Sequence, residues 1–180
     1  VIRRAVRVAL VGAGIGYALD RVLADHSAGA APAAISSTIV IDAPIERVWA
    51  ALADVKGQPR WMREMKAVRL LTPGPVGVGT EAEADVRIFG VAVTDPVRIT
   101  EFEPPHRYGI AHEGTFGGRG LILLGSGADA STTIVRWDEV LVPPLLPHLG
   151  ALVMAPALGA IFQADLVRLK ELVEAGSPAT

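Results

Sequence analysis

From Glu81 to Ile88 charged and apolar positions alternate without a break. Glu81, Glu83, Asp85 and Arg87 fall on one side of an extended chain, and Ala82, Ala84, Val86 and Ile88 on the other. A two-residue period of this kind predicts a half-buried strand. Further strand candidates follow from Ile35 onward in ISSTIVI, KAVRLLT, VAVTDPVRITEF, HRYGIAHE, GGRGLILL and STTIVRWDEVLV, punctuated by PGPVGVG, EPP and GSGAD. The connections are too short for crossover helices, so consecutive strands are expected to pair antiparallel. A helical period appears in DAPIERVWAALADV, where Ile45, Val48, Trp49 and Leu52 stand at i, i+3, i+4 and i+7 and Pro44 suits the first turn. From Pro156 onward Leu158, Ile161, Phe162, Leu166, Leu169, Leu172 and Val173 predict a long closing helix, with Arg168, Lys170, Glu171 and Glu174 for its polar side. The stretch before it, PPLLPHLGALVMA, is more apolar than an exposed connection should be. Its prolines predict a bent entry, either a lid or the start of the helix.

The beginning of the chain has a different character. Residues 1–24 are rich in Ala, Val, Gly and Leu and open with Arg3, Arg4 and Arg7; residues 25–34 contain the small-residue run SAGAAPAA; the remaining domain spans 35–176. This arrangement reads as a helix on a tether. The charge-free run from Val8 to Leu19 rises only about 18 Å as a helix, against a hydrocarbon core of about 30 Å. A surface-lying or half-inserted helix is therefore easier to defend than a full span. Asp20, Arg21 and Asp25 fall between the apolar run and any cleavage site, which argues against a signal peptide. Gly12 and Gly16 make a small-residue face that another helix can approach, whether on a partner, on a second copy in a homodimer, or on the chain's own domain. The expected location is the cytoplasm, with attachment to a membrane through residues 4–24 as an alternative. The same stretch carries VGAGIG, which looks like a dinucleotide fingerprint. Gly12 and Gly14 fit, but the third glycine position holds Tyr17, and only antiparallel strands follow where the motif needs a βαβ unit.

Composition narrows the function classes. At 180 residues the chain suits one domain with an appendage, and a net charge of −2 without a basic stripe gives no drive toward nucleic acid. With no cysteine there is no thiolate nucleophile or Cys-based zinc site, and the four histidines lie far apart without ligand spacing. Neither a metal nor a cofactor is implied.

The order of elements is one strand, helices, about six antiparallel strands and a long helix. Several short motifs accompany it: Ala43, Pro44, Val48 and Trp49 at a helix start; Asp54 and Val55 followed by Trp61 and Met62; Gly77, Gly79 and Thr80 in a turn; then TEFEPPHRY, GADASTTIVRW and DLVRLKELVE. Over about residues 36 to 175 the chain resembles the START-like SRPBCC superfamily, in its bacterial polyketide cyclase/dehydrase and lipid-transport branch. The resemblance implies an α+β helix-grip fold in which a curved antiparallel sheet grips the C-terminal helix. It also implies a cavity between them for a hydrophobic small molecule, lipid or polyketide-like. The N-terminal helix is not part of that pattern. The alanines of the 81–88 strand agree with a cavity, although they would equally let the helix sit closer to the sheet.

Strand parity and the implied cavity together give the ligand-binding candidates Trp61, Ala82, Ala84, Val86, Ile99, Tyr108, Ile110, Trp137 and Phe162. Trp61, near the place where the superfamily has its cavity mouth, either gates entry or belongs to the core. Parity also puts polar residues among apolar neighbours: Asp95 and Glu101 with Val93, Val97 and Ile99, His112 with Tyr108 and Ile110, and Glu139 with Val135 and Trp137. A carboxylate beside an imidazole in an apolar cavity can transfer protons, so Glu101, His112 and Glu139 are the catalytic candidates for a cyclase or dehydratase. The competing reading places Glu101 and Glu139 at strand ends, in water or beside an arginine such as Arg98, Arg119 or Arg136, and makes His112 a hydrogen-bonded core or rim residue. Binding of a hydrophobic ligand is the favoured function, ahead of catalysis and of a purely structural or membrane-attached role.

Overall fold

The computed structural model describes residues 2–26, 34–88 and 90–176, with side chains of the first helix from residue 12 onward. Residues 27–33, most of the expected linker, and the side chains of Arg3, Arg4 and Arg7 lie outside the described residues. The elements are α1 (Ile2–His26), β1 (Ala34–Ile41), α2 (Ile45–Ala53), a 3-10 turn (Val55–Arg60), β2 (Met65–Leu70), β3 (Glu81–Ile88), β4 (Val91–Glu103), β5 (Arg107–Glu113), β6 (Gly117–Ser126), β7 (Thr133–Val142) and α3 (Pro147–Ala175).

One seven-stranded sheet runs in the order β1-β7-β6-β5-β4-β3-β2, with every pair antiparallel. Strands β2 to β7 form a meander of successive neighbours, and β1 closes on the last of them. The chain thus has the α+β helix-grip fold. Helix α2 buries Val48, Trp49 and Leu52 of its predicted stripe, with Pro44 just before the first turn. Helix α3 lies along β1 and β7 and meets α2, burying Leu158, Phe162, Leu166, Leu169 and Val173. By length and composition alone it is, among the described residues, the one helix able to cross a membrane; here those five residues lie in the protein core. It begins nine residues earlier than Pro156, so PPLLPHLGALVMA is largely the start of the helix.

That start explains how α1 is held. Leu146, the residue before the helix, has a left-handed φ of 52° and supplies no side-chain cap. The cap comes from another helix. Asp20 of α1 is buried, and its Oδ1 accepts the N–H groups of His148 and Leu149 at 2.8 Å each. These second and third helical N–H groups are the ones an N-cap carboxylate ordinarily satisfies. One turn earlier, a Cβ on Gly16 would lie 3.3 Å from a methyl of Leu146, so the small residue allows the close approach, whereas a Cβ on Gly12 would meet nothing within 4 Å. Gly12 and Gly14 sit inside a continuous helix, which removes the strand-turn-helix setting that a dinucleotide site requires.

Asp20→Ala is expected to lower stability by about 1 kcal/mol, the usual cost of losing an N-cap. Deleting residues 1–33 is expected to give a folded domain with a similar loss. Thermal melts of both variants check this, and a deletion that fails to fold would make α1 integral to the domain.

Candidate functional site

Between the sheet and α3 lies a cavity of about 390 Å³, within the range of small-molecule sites. Its position follows from packing. Helix α3 covers the β1–β7 side of the sheet, while α2 and the 3-10 turn touch β2, β4 and β5 only in part, through Trp49 on Phe102 and Tyr108 and through the contact of the turn with β2. On β3 the inner face carries Ala82 and Ala84, both buried, and then Val86 and Ile88. Their charged neighbours point outward, where Arg69 bridges Glu83 and Asp85. Every predicted ligand-binding residue lines the cavity except Trp61. Trp61 is fully buried in the core and stands edge-on to Trp137 with ring centres 6.1 Å apart. The residue beside it, Met62, reaches the cavity instead.

Polar chemistry concentrates across β4, β5 and β7. His112 lies between two carboxylates, its Nδ1 2.6 Å from Asp95 Oδ2 and its Nε2 3.0 Å from Glu139 Oε1. The other oxygen of Glu139 accepts the indole N–H of Trp137 at 2.8 Å. Glycines make room for this cluster: a Cβ on Gly120 would fall 2.4 Å from Glu139 Oε2, and one on Gly114 would fall 2.6 Å from Asp95 Oδ1. Burial alone would lower the His112 pKa, but hydrogen bonds to Asp95 and Glu139, reinforced by their charges, outweigh it and raise the value from 6.5 to about 9. At neutral pH the ring is an imidazolium donating to both carboxylates. Glu139, for which the competing reading expects water or an arginine at a strand end, is instead almost wholly buried in this network.

Glu101 is somewhere else. Parity along β4 puts it on the inner face, yet the register shifts between Ile99 and Glu101, so Thr100 is an extra residue in the ladder. Beyond this bulge the faces exchange. Phe102 turns in to pack against Trp49 with ring centres 5.2 Å apart, and Glu101 turns out to pair with Arg107, whose Nε is 2.9 Å away. Gly109 opposite makes this possible, because a Cβ there would lie 2.9 Å from that of Glu101. Glu101 does not line the cavity.

Two further acidic residues, Asp165 and Glu64, line the cavity and are not among the candidates drawn from sequence. Asp165 on α3 is buried, and its Oδ1 accepts the N–H of Arg63 at 3.1 Å and an N–H of Arg168 at 2.8 Å, tying the segment after the 3-10 turn to the helix. Burial, with a further push from the Glu64 charge, raises the Asp165 pKa from 3.8 to about 6, against the lowering by Arg63 and Arg168. Oε2 of Glu64 is buried without a hydrogen-bond partner. A signal for Asp165 existed: it stands three residues after Phe162 and four before Leu169, in the middle of the apolar stripe. For Glu64 nothing local marked the position.

Folding tightens His112's hold on its proton, so this group stabilises the protein fully below about pH 6.5 and progressively less as pH rises through about 9. The expected result is a melting temperature that declines over that interval and a shallower decline in His112→Asn. An NMR titration that finds the His112 ring neutral at about pH 8 would contradict the network.

A family model described as polyketide cyclase / dehydrase and lipid transport matches residues 32–174. No curated protein matches the chain. Solved structures with the same fold include the Zhui aromatase/cyclase from a Streptomyces species, at 19% identity and a TM-score of 0.66, covering 81% of this chain and 99% of that one. A START superfamily protein from Mycobacterium smegmatis is similar at 15% identity and a TM-score of 0.63, covering 80% and 99%. A protein from Thermus thermophilus shares 19% identity with a TM-score of 0.66 over 81% and 100%.

Proposed function

The chain belongs to the polyketide cyclase / dehydrase and lipid transport family, and we propose that it binds and carries a hydrophobic or amphipathic small molecule in the cavity between the sheet and α3. The observation that carries this reading is the space left over Ala82 and Ala84. Side chains of ordinary size at these two positions would occupy much of it, and packed interiors rarely leave voids larger than a water molecule. Mass spectrometry of the purified protein under native conditions tests the proposal through a retained ligand. The double substitution Ala82→Leu and Ala84→Leu is expected to fill the cavity, maintain thermal stability and abolish uptake of an apolar fluorescent probe. Unchanged uptake with a large loss of stability would mean that the positions were already packed against neighbours.

A second reading, catalysis as a cyclase or dehydratase, draws support from one arrangement: an imidazolium flanked by two carboxylates in the cavity wall. Both ring nitrogens of His112 and both oxygens of Glu139 are already engaged, so Asp95 is the open end of any proton path to a ligand. Asp95→Asn, His112→Asn and Glu139→Gln separate the two readings. A carrier should keep its affinity to within about tenfold in each variant. An enzyme that turns over a polyketone should lose about 10²- to 10⁴-fold in rate while still binding it.

A membrane-surface contact for loading or delivery fits the outer side of α1. Ile15, Leu19 and Val22 form an exposed apolar row at i, i+4 and i+7, beside the Gly16 and Asp20 row that docks on α3. Leu145, Leu152 and Val153, around the start of α3, are exposed as well. Arg3, Arg4 and Arg7 on the same helix favour anionic lipid. The full chain is expected to sediment with vesicles containing phosphatidylglycerol and to stop doing so when residues 1–33 are removed; equal sedimentation of both would discard this role for α1.

A further inference from the structure

The charges in the cavity wall are one-sided. Glu64, Asp95, Glu139 and Asp165 all line it, and His112 is the single basic lining group; among the described residues no lysine or arginine reaches it. His112 has no capacity left for a ligand, since each of its ring nitrogens already faces a carboxylate. Arg168, which pairs with Asp165, is not a lining residue. An anionic head group entering this space would lose its hydration, meet four acidic side chains and find no free cation, which is the costly case for buried charge. A head group that donates hydrogen bonds meets the opposite situation. Oε2 of Glu64 has no hydrogen-bond partner but is closed off from the open space, so Glu64 acts on an occupant through its charge. The Asp95 side chain, 17% exposed, offers the acceptor, beside its His112 contact.

Resting on the ligand-binding reading, we infer that the cavity selects amphipathic ligands whose polar end is a hydrogen-bond donor, a hydroxyl or an ammonium group, and rejects those ending in a carboxylate. The apolar body of the ligand lies over Ala82, Ala84 and Ile99, and the donor reaches Asp95. Fatty acids and other free carboxylates are therefore not the cargo. Alcohols, phenols and amines on an apolar skeleton are.

Three probes that share one skeleton test this on the full chain: naphthylmethanol, naphthylmethylamine and naphthoate, titrated at about pH 7.5 and followed by tryptophan fluorescence, with calorimetry as a second measure. Trp137 lines the cavity and reports occupancy. The alcohol and the amine should each bind at least about tenfold more tightly than the carboxylate, a difference of about 1.4 kcal/mol. Glu64→Gln should narrow the ratio of amine to carboxylate, and Asp165→Asn should narrow it in the same direction. Carboxylate binding as tight as that of the alcohol and amine overturns the charge rule and leaves the cavity's role as a binding site standing. Binding of none of the three by the folded protein overturns both.

Discussion

A single helix cannot cover the inner face of a seven-stranded sheet, and much of this molecule follows from that mismatch. Helix α3 is laid along β1 and β7, where Leu158, Phe162, Leu166 and Leu169 meet the sheet and seal that half. Over the other half, β2 to β5, the cavity is roofed by the 3-10 turn, by Met62, Glu64 and Met65 and by the flank of α3. Larger side chains on β3 would close the gap from below. Alanines at 82 and 84 keep it open, so the size of the cavity depends on two small residues and one helix position.

Opening a cavity in an apolar interior makes every polar group in its wall expensive, and the structure shows how that cost is limited. Buried carboxylates survive where a charge or several donors face them. Glu139 has an imidazolium on one oxygen and an indole N–H on the other, while the glycine at 120 leaves the space its carboxylate occupies. Asp165 has a backbone N–H and Arg168, but burial and the neighbouring Glu64 still raise its pKa to about 6. Glu64 is the least compensated of these groups. A cavity that had only to be full would need none of them.

The sequence made the fold legible because its periods were clean. The alternation at Glu81–Ile88 and the stripe from Leu158 to Val173 each fixed a buried face that the structure keeps. Parity also brought Asp95, His112 and Glu139 to one face before any contact was visible. It failed beyond Thr100, since one extra residue exchanges the faces and no pattern in VRITEFE announces a bulge; the informative residue, Gly109, lies on the opposite strand. Trp61 was equally suited to core and mouth, because its burial depends on Trp137, far away in sequence. The capping of α3 by Asp20 was hidden for the same reason, as partners separated by more than a hundred residues leave no local signature.

Asp165 joins these levels in one side chain. Its place in the apolar stripe puts it on the face of α3 that meets the cavity, and its bond to the Arg63 N–H fixes the segment from which Met62, Glu64 and Met65 form the opposite wall. The ionised carboxylate is the better acceptor for that N–H and the better partner for Arg168, yet burial and Glu64 oppose its ionisation. A donor or cation placed beside Glu64 would relieve part of that opposition, favour the charged form of Asp165 and so strengthen its hold on the wall. A carboxylate in the same place would push Asp165 toward protonation and weaken it. The order of the cavity wall and the charge of whatever occupies the cavity are thus linked through the same pair of acids.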